Sequence, residues 1–206
     1  MSVYPLLSMY RGILFELYYL WAMIVRSRAP LRIGLAGGGT DVSPYSDLYG
    51  GAILNATISL FAQATIIPNH SKRIRLESLD LDEVMDLRKS RLLKIDGKLD
   101  LIKGTHNRMF KNIKGKLPAY DISTHVDVPK GSGLGASSTL TVAMTSAYSE
   151  WLKLPMGEYD LAKTAYEIER HDLQIAGGKQ DQYAATFGGF NFMEFYKDDK
   201  VIVNPL

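Results

Sequence analysis

Eight consecutive residues of this 206-residue chain have the types and spacing to hold phosphate: Gly131, Ser132, Gly133, Leu134, Gly135, Ala136, Ser137 and Ser138. Glycines fall at every second position, and two hydroxyls follow. Without Cβ atoms, the backbone N–H groups can close on an anion. Upstream, Ile122, Thr124, Val126 and Val128 alternate with Asp121, Ser123, His125 and Asp127. That period of two predicts a half-buried strand. Downstream, Leu140, Met144, Ala147 and Trp151 recur at helical spacing, with Ala143 and Tyr148 widening the stripe. The loop therefore lies at a strand-to-helix junction, where the helix N-terminus adds partial positive charge. Ser137 and Ser138 can cap that helix, or offer hydroxyls to a phosphate or a metal ion. The loop is not a P-loop, because no Lys-Ser or Lys-Thr follows the glycines. Nor is it the dinucleotide fingerprint, because the spacing is G-x-G-x-G. A plain glycine turn before an ordinary helix is the alternative.

Two other constellations carry polar groups next to glycines. Residues 24–35 read as a strand broken by Pro30, running into Ala36-Gly37-Gly38-Gly39-Thr40-Asp41. Gly38 and Gly39 let the backbone pass close to a ligand, and Thr40 and Asp41 put acceptors at its end. Near the C-terminus, Leu161, Ala165 and Ile168 form a helical stripe, with Glu169 beside it, able to reach a cleft from the helix edge. Gly177-Gly178-Lys179-Gln180-Asp181-Gln182 follows. Each acid has a plain structural reading: Asp181 as a helix N-cap, Glu169 as a solvated partner of Arg170 or Lys163.

The elements that must position these groups are partly legible. Residues 51–67 read as one long strand or two, and residues 73–77 alternate and are expected to pair with it. Residues 99–113 predict a helix; residues 80–98 are polar and carry no clear pattern. Residues 190–196 and 201–203 predict a closing hairpin. A net charge of +2 implies no strong field for nucleic acid or membrane. The absence of cysteine excludes disulfides and thiolate metal sites. None of the four histidines has a spacing that suggests zinc. Residues 12–25 are almost all apolar but too short for a span of about 20 residues. The reading preferred here is that Met23 is the natural start and residues 1–22 are a hydrophobic extension.

Together the three segments resemble the GHMP kinases, the family of galactokinase, homoserine kinase, mevalonate kinase and phosphomevalonate kinase. Residues 29–41 resemble the first family motif, residues 129–138 the second, and residues 177–182 the galactokinase-like turn with its aspartate. The A-G-G-G-T-D form of the first motif is most similar to the heptose 7-phosphate kinases. The resemblance implies an α+β fold, a two-layer sandwich like ribosomal protein S5 domain 2, over residues 23–206. It implies ATP and Mg²⁺, with Gly131 to Ser138 around the triphosphate. Asp181 would act on the acceptor hydroxyl, Arg32 would keep it ionised, and Ser137 and Glu169 would bind the metal. Gly38, Gly39, Thr40 and Asp41 would face the sugar. The implied reaction is ATP-dependent phosphorylation of a sugar or sugar-phosphate hydroxyl, foremost the anomeric hydroxyl of D-glycero-D-manno-heptose 7-phosphate. A galactose or fucose kinase, or a catalytically weak nucleotide-binding fragment, is the alternative. The family's third motif and C-terminal domain are missing, which leaves a homodimer or a separate C-terminal half as expected partners. A cytoplasmic location is implied; nucleic-acid and membrane partners are not.

Overall fold

The computed structural model describes residues 23–206. The expected extension over residues 1–22 lies outside the described residues. In chain order the elements are β1 (Val25–Ala36), α1 (Tyr45–Tyr49), β2 (Gly51–Asn69), β3 (Arg73–Ser78), β4 (Glu83–Arg88) and α2 (Asp100–Phe110). Then come β5 (Ala119–Val126), α3 (Ala136–Trp151), α4 (Glu158–Glu167), a π-turn (Ile168–Asp172), α5 (Gln180–Phe187), β6 (Phe190–Phe195) and β7 (Val201–Pro205).

The strands form one mixed sheet in the order β4-β3-β5-β2-β6-β7, with β1 paired to β2. Only β3 and β5 run parallel. The long strand β2 organises the whole. Its first part pairs with β6 and its last part with β5, while β1 runs along the opposite edge. Inward-facing residues of β2 switch from Ile53 and Asn55 to Ala62, Ala64 and Ile66, a change of parity. The pairing with β1 slips over the same stretch, between Pro30 and Arg32 and again between Gly34 and Ala36. Such irregularities bend a strand and re-aim its side chains. They explain why residues 51–67 read equally as one strand or two.

Two expectations need correction, and one unread segment takes a form. Pro30 does not break β1: the strand passes through it, with Pro30 opposite Phe61. A proline has no ladder hydrogen to donate, and β1 lies at an edge, where that costs little. Residues 73–77 do not pair with β2, because β5 lies between them; β3 pairs with β4 and β5. Residues 83–88, unread in the sequence, form the edge strand β4, whose alternation is muted because no side chain in it is fully buried.

The helices cover one face of the sheet. α3 packs on β1, β2 and β5, and is flanked by α2, α4 and α5. Two of its three threonines bond within the helix: Thr141 and Thr145 donate to the carbonyls of Ser137 and Thr141. Its own Tyr148 and Trp151 pack against Phe110 of α2 and Tyr120 of β5, each 1% exposed or less. Burying an aliphatic or aromatic side chain of this size contributes about 1.5–3 kcal/mol. The core therefore anchors α3 firmly, and α3 presents its N-terminus to the glycine loop.

Candidate active site

The site forms where β5 leaves the sheet. The pairing with β2 ends at Asp127, whose N–H donates to the Phe61 carbonyl at 2.9 Å and whose Oδ2 accepts from the N–H of Phe61 at 2.8 Å. The loop crosses to the free edge of β1, where the N–H of Arg32 donates to the Leu134 carbonyl at 3.3 Å. Arg32 Nη1 also donates to the Gly133 carbonyl at 2.8 Å. One arginine thus holds the loop by its backbone and by its side chain. The loop ends at Gly135, whose φ of 77° is the left-handed conformation that glycine tolerates. Gly135 is the N-cap of α3, so neither Ser137 nor Ser138 caps that helix as expected.

Arg32 also reaches Asp181. Its Nε donates to Asp181 Oδ1 at 2.6 Å and Nη2 lies 2.5 Å from the same oxygen. Both side chains are mostly shielded, at 13% and 21% exposed. Charge-assisted bonds in such a setting are among the stronger polar contacts. A Cβ on Gly135 would lie 3.1 Å from Asp181 Cγ and 3.2 Å from its Oδ2. The aspartate is therefore pressed against the N-terminus of α3, where phosphates would gather. Asp181 sits in the first turn of α5, not at its N-cap, which is Lys179.

The cap of α5 comes from a distant segment. Asp41 Oδ2 accepts from the N–H groups of Lys179 at 2.7 Å and Gln180 at 2.9 Å. This carboxylate neutralises helix N–H groups that would otherwise lack partners. Asp41 is only 1% exposed, so the expectation that it faces sugar hydroxyls is not met. Its approach depends on Gly178, where a Cβ would fall 1.9 Å from Asp41 Oδ2. Thr40 also turns inward, bonding the Gly37 and Ala52 carbonyls. Gly38 and Gly39 do face open space.

Glu169 is likewise not solvated. It lies in the π-turn, whose wider pitch departs from the α4 stripe, and is 1% exposed. Ser137 Oγ donates to its Oε1 at 2.9 Å, and Gln182 Nε2 to its Oε2 at 2.5 Å. Arg170 Nη1 lies 3.9 Å from Oε1, but its hydrogen bonds go to the carbonyls of Ile175 and Gly178. Arg170 thus shapes the glycine turn rather than neutralising Glu169 on the surface. Ser137 and Glu169 fit a small hard cation: two neighbouring ligands of octahedral Mg²⁺ stand about 3 Å apart, given bonds of about 2.0–2.1 Å. Mg²⁺ usually takes one or two carboxylates and completes its shell with water and phosphate oxygens. Among the described residues, no group of three or more His, Cys, Asp or Glu could hold a metal.

The structure brings together Arg32, Asp181 and the loop, and Ser137 with Glu169. It sets Asp41 behind them. Sequence reasoning missed Gln182 and Gly178 as individuals, although both lie in the motif around Asp181. His125 and His171 lie outside this cluster: His125 pairs loosely with Asp127, and His171 packs on Tyr166.

The sequence model for the GHMP kinases N terminal domain matches residues 100–189. A D-glycero-alpha-D-manno-heptose 7-phosphate kinase of Campylobacter jejuni is 54% identical over 182 residues, which are 88% of this chain and 54% of that enzyme. The crystal structure of a D-glycero-D-manno-heptose 1-phosphate kinase from Bacteroides thetaiotaomicron superposes with a TM-score of 0.86 at 54% identity. That match covers 89% of this chain and 60% of the other. Lactococcus lactis galactokinase, crystallised with galactose, shares the fold at a TM-score of 0.73 and 19% identity, over 96% of this chain and 52% of its own. The chain spans 54% of the length of that Campylobacter jejuni relative. By its fold, its glycine loop and this degree of identity, the chain belongs to the GHMP kinase family and carries that family's N-terminal domain.

Proposed function

We propose that residues 23–206 form the nucleotide- and acceptor-binding domain of an ATP-dependent sugar-phosphate kinase acting in the cytoplasm. The acceptor is the anomeric hydroxyl of D-glycero-D-manno-heptose 7-phosphate. The observation that carries the reading is Asp181, held at Oδ1 by Arg32 and pressed by Oδ2 against Gly135 at the phosphate loop. The substrate class is taken from the 54%-identical relatives, whose names specify heptose phosphates.

In this reading the N–H groups of residues 131–138 hold the triphosphate, and the α3 N-terminus contributes partial positive charge. Ser137 and Glu169 hold Mg²⁺, which supplies charge neutralisation to the phosphates. The acceptor oxygen forms a bond to the γ-phosphorus as the bond from that phosphorus to the β–γ bridging oxygen breaks, releasing ADP. The acceptor's proton passes to Asp181 Oδ2, the oxygen that Arg32 leaves free. Arg32 fixes the orientation of Asp181 by bonding its Oδ1, and its guanidinium offsets charge gathering at the loop.

A coupled ADP-release assay tests this with heptose 7-phosphate, heptose 1-phosphate, galactose, fucose and mevalonate. Preferred turnover of heptose 7-phosphate is expected. Equal or faster turnover of heptose 1-phosphate, whose anomeric oxygen is blocked, refutes the acceptor assignment. Preference for galactose or fucose would reassign the substrate within the same chemistry.

A further inference from the structure

Gln182 has no part in the transfer just described, yet it is wholly buried between its two halves. Its Nε2 donates to Glu169 Oε2 at 2.5 Å and to Ser138 Oγ at 3.0 Å. Its Oε1 is buried with no partner. An interior amide with an unsatisfied oxygen is a costly way to fill space that methionine could fill. The orientation of the amide is dictated by its neighbour. Turned over, it would set one acceptor oxygen against another.

The consequence falls on Glu169. The terminal torsion of a glutamate is soft, so its carboxylate needs an external hold. Two groups compete for it. Ser137 Oγ is 2.9 Å from Oε1, and Arg170 Nη1 is 3.9 Å from the same oxygen. Gln182 secures Oε2, and the plane of the carboxylate then leaves Oε1 on the Ser137 side. Gln182 also follows Asp181 directly in the first turn of α5. One turn of helix therefore sets the acceptor-side aspartate and holds the metal-side glutamate.

We infer that Gln182 is a positioning residue, which fixes Glu169 so that Oε1 and Ser137 Oγ face one cation together. This rests on the reading of Ser137 and Glu169 as the Mg²⁺ pair. The test measures ADP binding by calorimetry as Mg²⁺ is titrated, with the 206-residue chain, its Gln182→Met variant and its Glu169→Gln variant. Methionine keeps the volume and removes the donor. Gln182→Met is expected to raise the Mg²⁺ concentration for half-maximal effect roughly ten- to a hundredfold, the worth of a hydrogen bond to a charged group. ADP affinity in EDTA should stay unchanged, which a merely structural loss would not allow. Should methionine prevent folding, Gln182→Asn, with its amide one methylene short, should shift the same midpoint in the same direction. An unchanged Mg²⁺ midpoint in Gln182→Met, with Glu169→Gln shifted, overturns the positioning role alone. An unchanged midpoint in Glu169→Gln, or no Mg²⁺ dependence in the unaltered chain, overturns the metal pair itself and the inference with it.

Discussion

Gly178→Ala should destabilise the protein through one identifiable collision. Gly178 is not in the left-handed region, so alanine meets no backbone penalty there. Its Cβ would instead stand 1.9 Å from Asp41 Oδ2 and 2.4 Å from Asp41 Cγ. No contact that short survives, so the carboxylate must leave the Lys179 and Gln180 N–H groups that it now accepts from at 2.7 and 2.9 Å. Each hydrogen bond to a charged group is worth about 1.5–3 kcal/mol, so the loss is about 3–6 kcal/mol. Asp41→Ala removes the same two bonds and should cost a similar amount. The double variant has lost the carboxylate already, so its alanine Cβ no longer meets the three atoms that stand nearest to it. It should be about as stable as Asp41→Ala alone, which makes the coupling between the sites about 3 kcal/mol or more. Urea unfolding of the two single variants and the double variant measures this. Additive losses, within about 0.5 kcal/mol, would refute the idea that Gly178 exists to admit Asp41.

Two further outcomes are expected. Asp181→Asn should lower turnover roughly a hundredfold or more while leaving ADP affinity within about threefold, as binding and single-turnover measurements would report; near-normal turnover would remove Asp181 from the mechanism. Acid should destabilise the fold through His106. Burial lowers its pKa to about 4, against the opposing pull of the Ser90 carbonyl. The neutral ring bonds Tyr120 and Ser90, and Tyr120 bonds Tyr148. The folded state resists protonation that the unfolded chain accepts below about 6.5. Stability from this group is thus complete above pH 6.5 and is lost as pH falls toward 4, by about 3 kcal/mol in all. Unfolding free energies at pH 7.5 and 4.5 should differ less in His106→Leu than in the parent; an equal acid loss would place the titration elsewhere.

What the sequence alone determined was local. Alternation before residue 127 and helical spacing after 136 follow from the periods of strand and helix, so β5, the loop and α3 were legible. The β6–β7 hairpin and α4 were legible for the same reason. The resemblance to the family's motifs also implied one site for Arg32, Ser137, Glu169 and Asp181, and the fold brings them together as two bonded pairs. Tertiary structure decided everything that depends on which segment lies next to which. β3 lies beside β5 rather than β2, because pairing partners are not written into a strand's own alternation. Asp41 was expected to face sugar only through its match to the family's first motif. In the fold, α5 presents two unpaired N–H groups to it, and a buried carboxylate is stable only when such donors meet it. Gln182 was one polar residue among several until Glu169, thirteen positions away, turned its carboxylate toward it. The glycine loop could be read as an anion cradle from residue types alone, whereas the approach of Asp181 to Gly135 belongs to the fold, in which Arg32 of β1 bonds both the aspartate and the Gly133 carbonyl.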